Sequence, residues 1–282
     1  MDVRRIGVVG FGQMGTGIAQ VAAQAGYEVV CRDVAPEFLA RGKGKIDAGL
    51  AKVVEKGKMS PADRDAVLAR IRTTTELADL AGCDVIVEAI IEQMDAKCAL
   101  WKSLHAICPP ATIFASNTSS LSVTEQAAAS GRPDRFMGMH FFQPVPVMKL
   151  VELVRPLQVS DATYATVRRL AVEWRESVIE SKDRPGFIVN VLLIPFLNNA
   201  IAALDSGLAS AADLDAGMRI GCNHPMGPLA LADFVGLDTC LYIADVLYRE
   251  FGDAKYCAPP LLRRMVAAGW LGRKSGRGFY TY

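Results

Sequence analysis

The sequence predicts an α/β fold, with a doubly wound, mostly parallel sheet in its N-terminal part and an all-helical C-terminal domain. Three observations carry this. A β-branched run at residues 3–10 passes through a glycine turn into a helical pattern and then a second strand, the order of a parallel β-α-β unit. The run DVIVEAI at 84–90 is almost continuously apolar, broken only by Glu88, as a strand covered on both faces is. Then, at SKDRPGF, charges, a proline and a glycine follow one another, and everything beyond reads as helix. The boundary is placed near Asp183, giving domains of residues 1–183 and 184–282.

Composition bounds the function. A chain of 282 residues with 51% hydrophobic and 22% charged residues and a net charge of +1 has the size for two domains and no bias toward nucleic acid or a membrane surface. Its expected partner is a small molecule. Seven cysteines, scattered singly without a CxxC pair, argue against a disulfide framework or a zinc site and suit a reducing cytoplasm. No signal segment is visible at the N-terminus. The uncharged run at 185–204 has the length of a membrane span, but Asn190, Asn198, Asn199 and Pro195 speak for a helix buried in protein.

In GFGQMG, Gly10, Gly12 and Gly15 form GxGxxG, followed by a helix at 13–25 and a strand, YEVVCRD, that ends in Asp33. Strand, glycine turn, helix, strand and acid together are the full context of a Rossmann-type dinucleotide site. Gly10 permits the tight turn, Gly12 lets backbone approach a pyrophosphate, and Gly15 lets helix and strand pack closely. Gln13 and Met14 open the helix, whose unpaired amides and positive dipole end face the phosphates. Asp33 accepts from the ribose hydroxyls and repels a 2′-phosphate, so the cofactor predicted is NAD, with Arg32 beside it leaving partial use of NADP open.

Residues 36–58 read as a helix rich in lysine, including Lys52 and Lys56, either a solvated face or a seat for substrate phosphates. Glu92 and Lys97 follow the strand at 84–90 at the edge where open α/β sheets bind ligands. The alternative is an exposed ion pair of little weight. A strand at 112–116 empties into Asn117, Thr118 and Ser119. Ser122 and Glu125 make a capping box for a helix at 122–129, which leaves those three polar residues as caps or substrate ligands.

The stretch RFMGMHFFQPVPVMKLVE at 135–152 holds His140 on one hydrophobic run and Glu152 on the next, with Pro144 and Pro146 turning the chain between them. Alone it suits a core histidine; a histidine held by a carboxylate is also a good general base. A helix at 162–174 and a last strand at 177–182 complete the N-terminal domain. Beyond it come a long helix bearing Asn190 and helices at 211–220, 229–250 and 259–268, with enough apolar surface to predict a partner subunit. His105 lies in a helix as a packing or surface residue and His224 in a turn before Pro225. By elimination His140 is the acid/base candidate.

GFGQMGTGIAQ, VEAIIEQMDAK, ASNTSSLS, GMHFFQPVPVMKLVE, RPGFIVN, NHPMGPL and GWLGRKSGRGFY, in this order, resemble the 3-hydroxyacyl-CoA dehydrogenases over the whole chain, most of all the short bacterial 3-hydroxybutyryl-CoA dehydrogenases of fatty acid and butanoate metabolism. The resemblance implies that His140 is the base, oriented by Glu152, that Ser119 and Asn190 bind the reacting oxygen and that Asn117 supports the site. It implies that Asp33, Glu92, Lys97 and Lys274 contact NAD and that Lys56 lies near the CoA phosphates, while the apolar surface of the helical domain makes a homodimer through that domain the expected assembly. Two residues depart from the family pattern. Gln143 stands for asparagine, so a cofactor-side hydrogen bond uses a side chain one methylene longer, and Val191 stands for arginine after Asn190. The rival readings are an NAD(P)-dependent dehydrogenase of free 3-hydroxy or sugar acids and a catalytically silent cofactor-binding protein.

Overall fold

The computed structural model describes residues 1–282 and divides into two compact units, Met1–Arg184 and Pro185–Tyr282. The first unit is built on one eight-stranded sheet: β1 (Arg5–Val9), β2 (Glu28–Arg32), β3 (Ile71–Thr74), β4 (Val85–Glu88), β5 (Ile113–Ser116), β6 (Phe136–Phe141), β7 (Leu150–Arg155) and β8 (Ser177–Lys182), in the order β3-β2-β1-β4-β5-β6-β7-β8. Neighbours pair in parallel except β6 with β7, which are antiparallel. The chain builds outward from β1 through β2 to β3, then returns to place β4 on the other side of β1. That reversal opens a crevice at the carboxyl ends of β1 and β4, where ligands of open α/β sheets bind.

Helices α1 (Gln13–Gln24), α2 (Pro36–Glu55), α3 (Pro61–Ala69), α4 (Met94–Ile107), α5 (Val123–Ala129) and α6 (Asp161–Glu173) connect the strands. Both faces of the sheet are covered, so β4, β5 and β6 are buried along their whole length, Glu88 and Ser116 included. Ser60, Ser122 and Ser160 cap α3, α5 and α6 by accepting from the amide three residues on. Of the predicted capping box, the half in which the Glu125 amide donates to the Ser122 hydroxyl is found at 3.1 Å.

The second unit holds α7 (Val189–Asp205), α8 (Ala211–Ala216), α9 (Pro228–Val235), α10 (Leu237–Phe251) and α11 (Pro260–Ala267) around a core of Ile194, Leu197, Ile201, Leu229, Leu237, Leu247 and Leu262. Two buried carboxylates organise it. Asp215 accepts the amides of Leu229 and Ala230 at 2.8 and 2.9 Å and so caps α9, while Asp233 takes the amides of Phe279 and Tyr280, both at 3.0 Å, to fasten the C-terminal segment. α7 carries Pro195, and no helix is long and apolar enough to cross a membrane.

Differences from the sequence reading have local causes. Residues 36–58 are a helix only to Glu55, and Gly57, at φ +67°, turns the chain into α3. The edge strand β3, with sequence IRTT, lacks the apolar run that would announce it. The single helix predicted at 229–250 is two, broken at Gly236, whose φ of +102° no helix accommodates. His224 lies against Phe196, the rings tilted by 59° with centres 5.4 Å apart.

Glu176, between α6 and β8, is the one carboxylate buried without a hydrogen bond. The Lys149 ammonium lies 3.6 Å away, and burial pushes the carboxyl's pKa up against that attraction. A carboxyl raised in the fold favours the folded state while it is protonated and loses that advantage as pH rises from the ordinary carboxylate range through the raised value. Glu176→Gln should therefore raise Tm at pH 7–8, the gain shrinking toward acid pH; thermal melts across that range check it.

Candidate active site

The glycine turn shows which residues serve the fold and which leave room for a ligand. Gly10 has φ +88°, and a Cβ there would lie 2.5 Å from the Ala89 carbonyl oxygen. A Cβ on Gly15 would come within 1.8 Å of the Gly10 carbonyl oxygen, the close approach of α1 to β1. Gly12 is different, because a Cβ there would meet nothing within 4 Å, and no side chain caps the helix it begins. The chain's own packing does not require glycine at this position. Open space in front of uncapped amides is what a pyrophosphate needs, and the turn fits the cofactor on that ground. Thr16, unremarked in the sequence, braces the turn by donating its hydroxyl to the Phe11 carbonyl at 3.0 Å.

Asp33 stands just past β2 and accepts the Phe11 amide at 2.6 Å and the Val34 amide at 2.7 Å. Its carboxylate is thereby fixed beside the glycine turn. Arg32 donates Nε to the Thr75 carbonyl at 3.2 Å. Part of its guanidinium is thus committed to the neighbouring loop.

His140 and Glu152 face each other directly in the antiparallel register of β6 and β7. Nδ1 of the imidazole lies 2.6 Å from Oε2 of Glu152, and both residues are buried. An ionised carboxylate can only accept, so the neutral ring carries its proton on Nδ1 and its lone pair on Nε2. The Phe142 ring lies 4.5 Å from the imidazole centre. Asn117 joins this pair to the neighbouring strand, its Oδ1 accepting the Phe141 amide at 2.9 Å.

Beside it lies a second cluster. Glu92 Oε1 accepts from the Thr118 hydroxyl at 2.6 Å and the Ser119 amide at 2.9 Å, with the Ser119 hydroxyl at 3.5 Å. Lys97 reaches Glu92 Oε2 at 3.2 Å and Glu88 Oε1 at 2.5 Å. Burial pushes the Glu92 carboxyl up, but the Lys97 charge and the donors from Thr118 and Ser119 outweigh it and leave the pKa lowered. The alternative of an exposed pair for Glu92 and Lys97 is thus corrected. Lys97 is 1% exposed, and its charge is answered inside the protein. Glu88 was the missed member, visible in the sequence only as the one charge in an apolar strand.

Lys52 and Lys56 are exposed at the end of α2, and Gln143 is exposed in the turn after β6, which contains a cis peptide before Pro144. Gln13 is exposed and Met14 half-buried in the first turn of α1. Asn190 and Val191, in the first turn of α7, and Lys274, whose Nζ donates to Asp238 at 2.6 Å, belong to the C-terminal unit. His105 packs under Gly131 with Nδ1 3.3 Å from the Arg132 guanidinium.

A dinucleotide turn on a doubly wound sheet, with a buried histidine–carboxylate pair at the carboxyl edge, defines an NAD-dependent oxidoreductase. Sequence models of the 3-hydroxyacyl-CoA dehydrogenase NAD-binding and C-terminal domains match residues 5–184 and 186–282, and the chain belongs to that family. A probable 3-hydroxybutyryl-CoA dehydrogenase of Deinococcus radiodurans is 53% identical over 99% of this chain and 100% of its own. The crystal structure of Mycobacterium tuberculosis FadB2, 44% identical, superposes with a TM-score of 0.98 over 100% of both chains. That of the (S)-3-hydroxybutyryl-CoA dehydrogenase PaaH1 from Ralstonia eutropha, 48% identical, gives 0.96 over 100% of this chain and 99% of the other.

The glycines make separable predictions. Gly12→Ala should lose at most about 1 kcal/mol of stability, alanine being a poorer cap, while weakening NADH binding by roughly tenfold or more as the methyl enters the phosphate space. Gly15→Ala should cost about 1–3 kcal/mol or more through overpacking. Thermal melts and NADH fluorescence titrations on both variants distinguish the two roles.

Proposed function

We propose that the chain interconverts (S)-3-hydroxybutyryl-CoA and acetoacetyl-CoA as an NAD-dependent dehydrogenase. The observation that carries the reading is the buried His140–Glu152 pair at the edge of a sheet whose glycine turn suits a dinucleotide. The names borne by relatives matched along their whole length support the choice of acyl group.

Bound NAD supplies the hydride acceptor for C3 of the substrate. His140 takes the 3-hydroxyl proton on Nε2, and the O–H electron pair becomes the second bond of the carbonyl. Glu152 holds the tautomer that leaves Nε2 basic and stabilises the imidazolium as it forms. The Ser119 hydroxyl binds the oxygen as it changes from alcohol to carbonyl, and Asn117 keeps the turn that carries Ser119 aligned with β6. Asp33 receives the ribose, Gln143 contributes a cofactor-side hydrogen bond, and Lys56 with Lys52 meets the CoA phosphates as mobile point charges. Lys97, buried between two carboxylates, serves the cofactor side through Glu92. Exposed Leu192, Leu208 and Ile220 of the helical unit favour a homodimer, and the scattered free cysteines favour the cytoplasm.

His140→Ala should lower kcat by roughly 10²–10⁴-fold in either direction, measured by NADH absorbance, and near-normal turnover would remove the proposed base. NADH oxidation should be rapid with acetoacetyl-CoA and absent with free acetoacetate. The reverse preference would point to a dehydrogenase of free acids.

A further inference from the structure

Glu88 has no part in the roles that the family resemblance assigns, yet two routes run from its carboxylate to the turn that bears Ser119. By the first, Oε2 accepts the Ser116 hydroxyl at 2.8 Å, and the same hydroxyl oxygen accepts the Thr118 amide at 3.3 Å. By the second, Oε1 holds Lys97 Nζ at 2.5 Å and the Ile90 amide at 2.7 Å. Lys97 passes to Glu92 Oε2 at 3.2 Å, and Glu92 Oε1 takes the Thr118 hydroxyl and the Ser119 amide. Both routes end on the same three-residue turn.

The charges explain why the second route needs Glu88. Glu88 and Lys97 are 0% and 1% exposed, so neither can be answered by water. If Glu88 were neutral, the full charge of Lys97 would fall on Glu92, competing with the hydrogen bonds that Glu92 makes to the turn. With Glu88 present, one ammonium bridges two carboxylates, and Glu92 keeps Oε1 for Thr118 and Ser119 while Oε2 faces Lys97. We propose that Glu88 is a positioning residue for the reaction, setting the Ser119 hydroxyl through Lys97–Glu92 and through Ser116. The inference rests on the dehydrogenase reading above, in which Ser119 holds the reacting oxygen.

Small misplacements of an oriented group cost rate more than binding. Glu88→Gln should therefore lower kcat for acetoacetyl-CoA reduction by about 10–100-fold with KM nearly unchanged. A purely structural ion pair would lower Tm and leave kcat alone. Lys97→Met separates the cases further, since it leaves Glu88 and Glu92 without the cation between them, a like-charge pair that must repel or bind a proton. Removing one of those charges in Glu88→Gln/Lys97→Met should restore kcat roughly tenfold above Lys97→Met alone, a non-additivity only coupled residues give. This comparison also stands should Glu88→Gln by itself fail to fold. Wild-type kcat in Glu88→Gln, or a double variant no faster than Lys97→Met, overturns the inference. A wild-type protein that binds NADH but turns over no acetoacetyl-CoA overturns the dehydrogenase reading, and the inference with it.

Discussion

The antiparallel pairing of β6 with β7 is the constraint on which the site depends. Every other neighbouring pair in the sheet runs parallel, and parallel strands need a crossover that separates their residues in sequence. One hairpin reversal brings His140 and Glu152 into direct register, twelve residues apart, inside a sheet covered on both faces. In that setting a carboxylate is costly unless its oxygens are answered, and breaking such a pair costs about 3–5 kcal/mol. The bond that orients the imidazole is therefore also one the fold needs.

Neighbouring strands carry the same problem with a different solution. Glu88, at the end of β4, is as buried as Glu152, but its counter-group is a lysine. Asp33, at the end of β2, is answered by two backbone amides. Three carboxylates along one sheet edge are thus held by an imidazole, an ammonium and main-chain donors. Asp33 and Glu88 stand where the carboxyl ends of parallel strands empty into turns whose amides and polar side chains have lost their ladder partners, whereas Glu152 lies within β7 and is met by a residue of the facing strand.

Much of this was legible in the sequence. The glycine turn could be read because each glycine has a distinct steric reason, and Asp33 because it is the acid that ends the strand following the glycine turn and its helix. His140 and Glu152 could be read as neighbours from the prolines between them, but their register could not. A shift of one residue would have turned the two side chains to opposite faces. The burial of Lys97 was illegible because a lysine at the start of a helix ordinarily faces water. Only its partner four residues into an apolar strand, Glu88, signalled otherwise. Strand β3 and the break at Gly236 escaped because a short polar edge strand and a single glycine carry too little pattern to outweigh their surroundings.

The two buried clusters differ in their counter-groups. Burial pushes the Glu88 carboxyl up against the pull of the Lys97 ammonium and the donors from Ser116 and Ile90, whereas at Glu92 burial is outweighed by Lys97, Thr118 and Ser119. An imidazole can carry its proton on either ring nitrogen, and the bond to Glu152 fixes which one. The turn from Asn117 to Ser119 lies between the two, tied to β6 through Asn117 and to Glu92 through Thr118 and Ser119. Its position is thus set by β6 on one side and by Glu92 on the other.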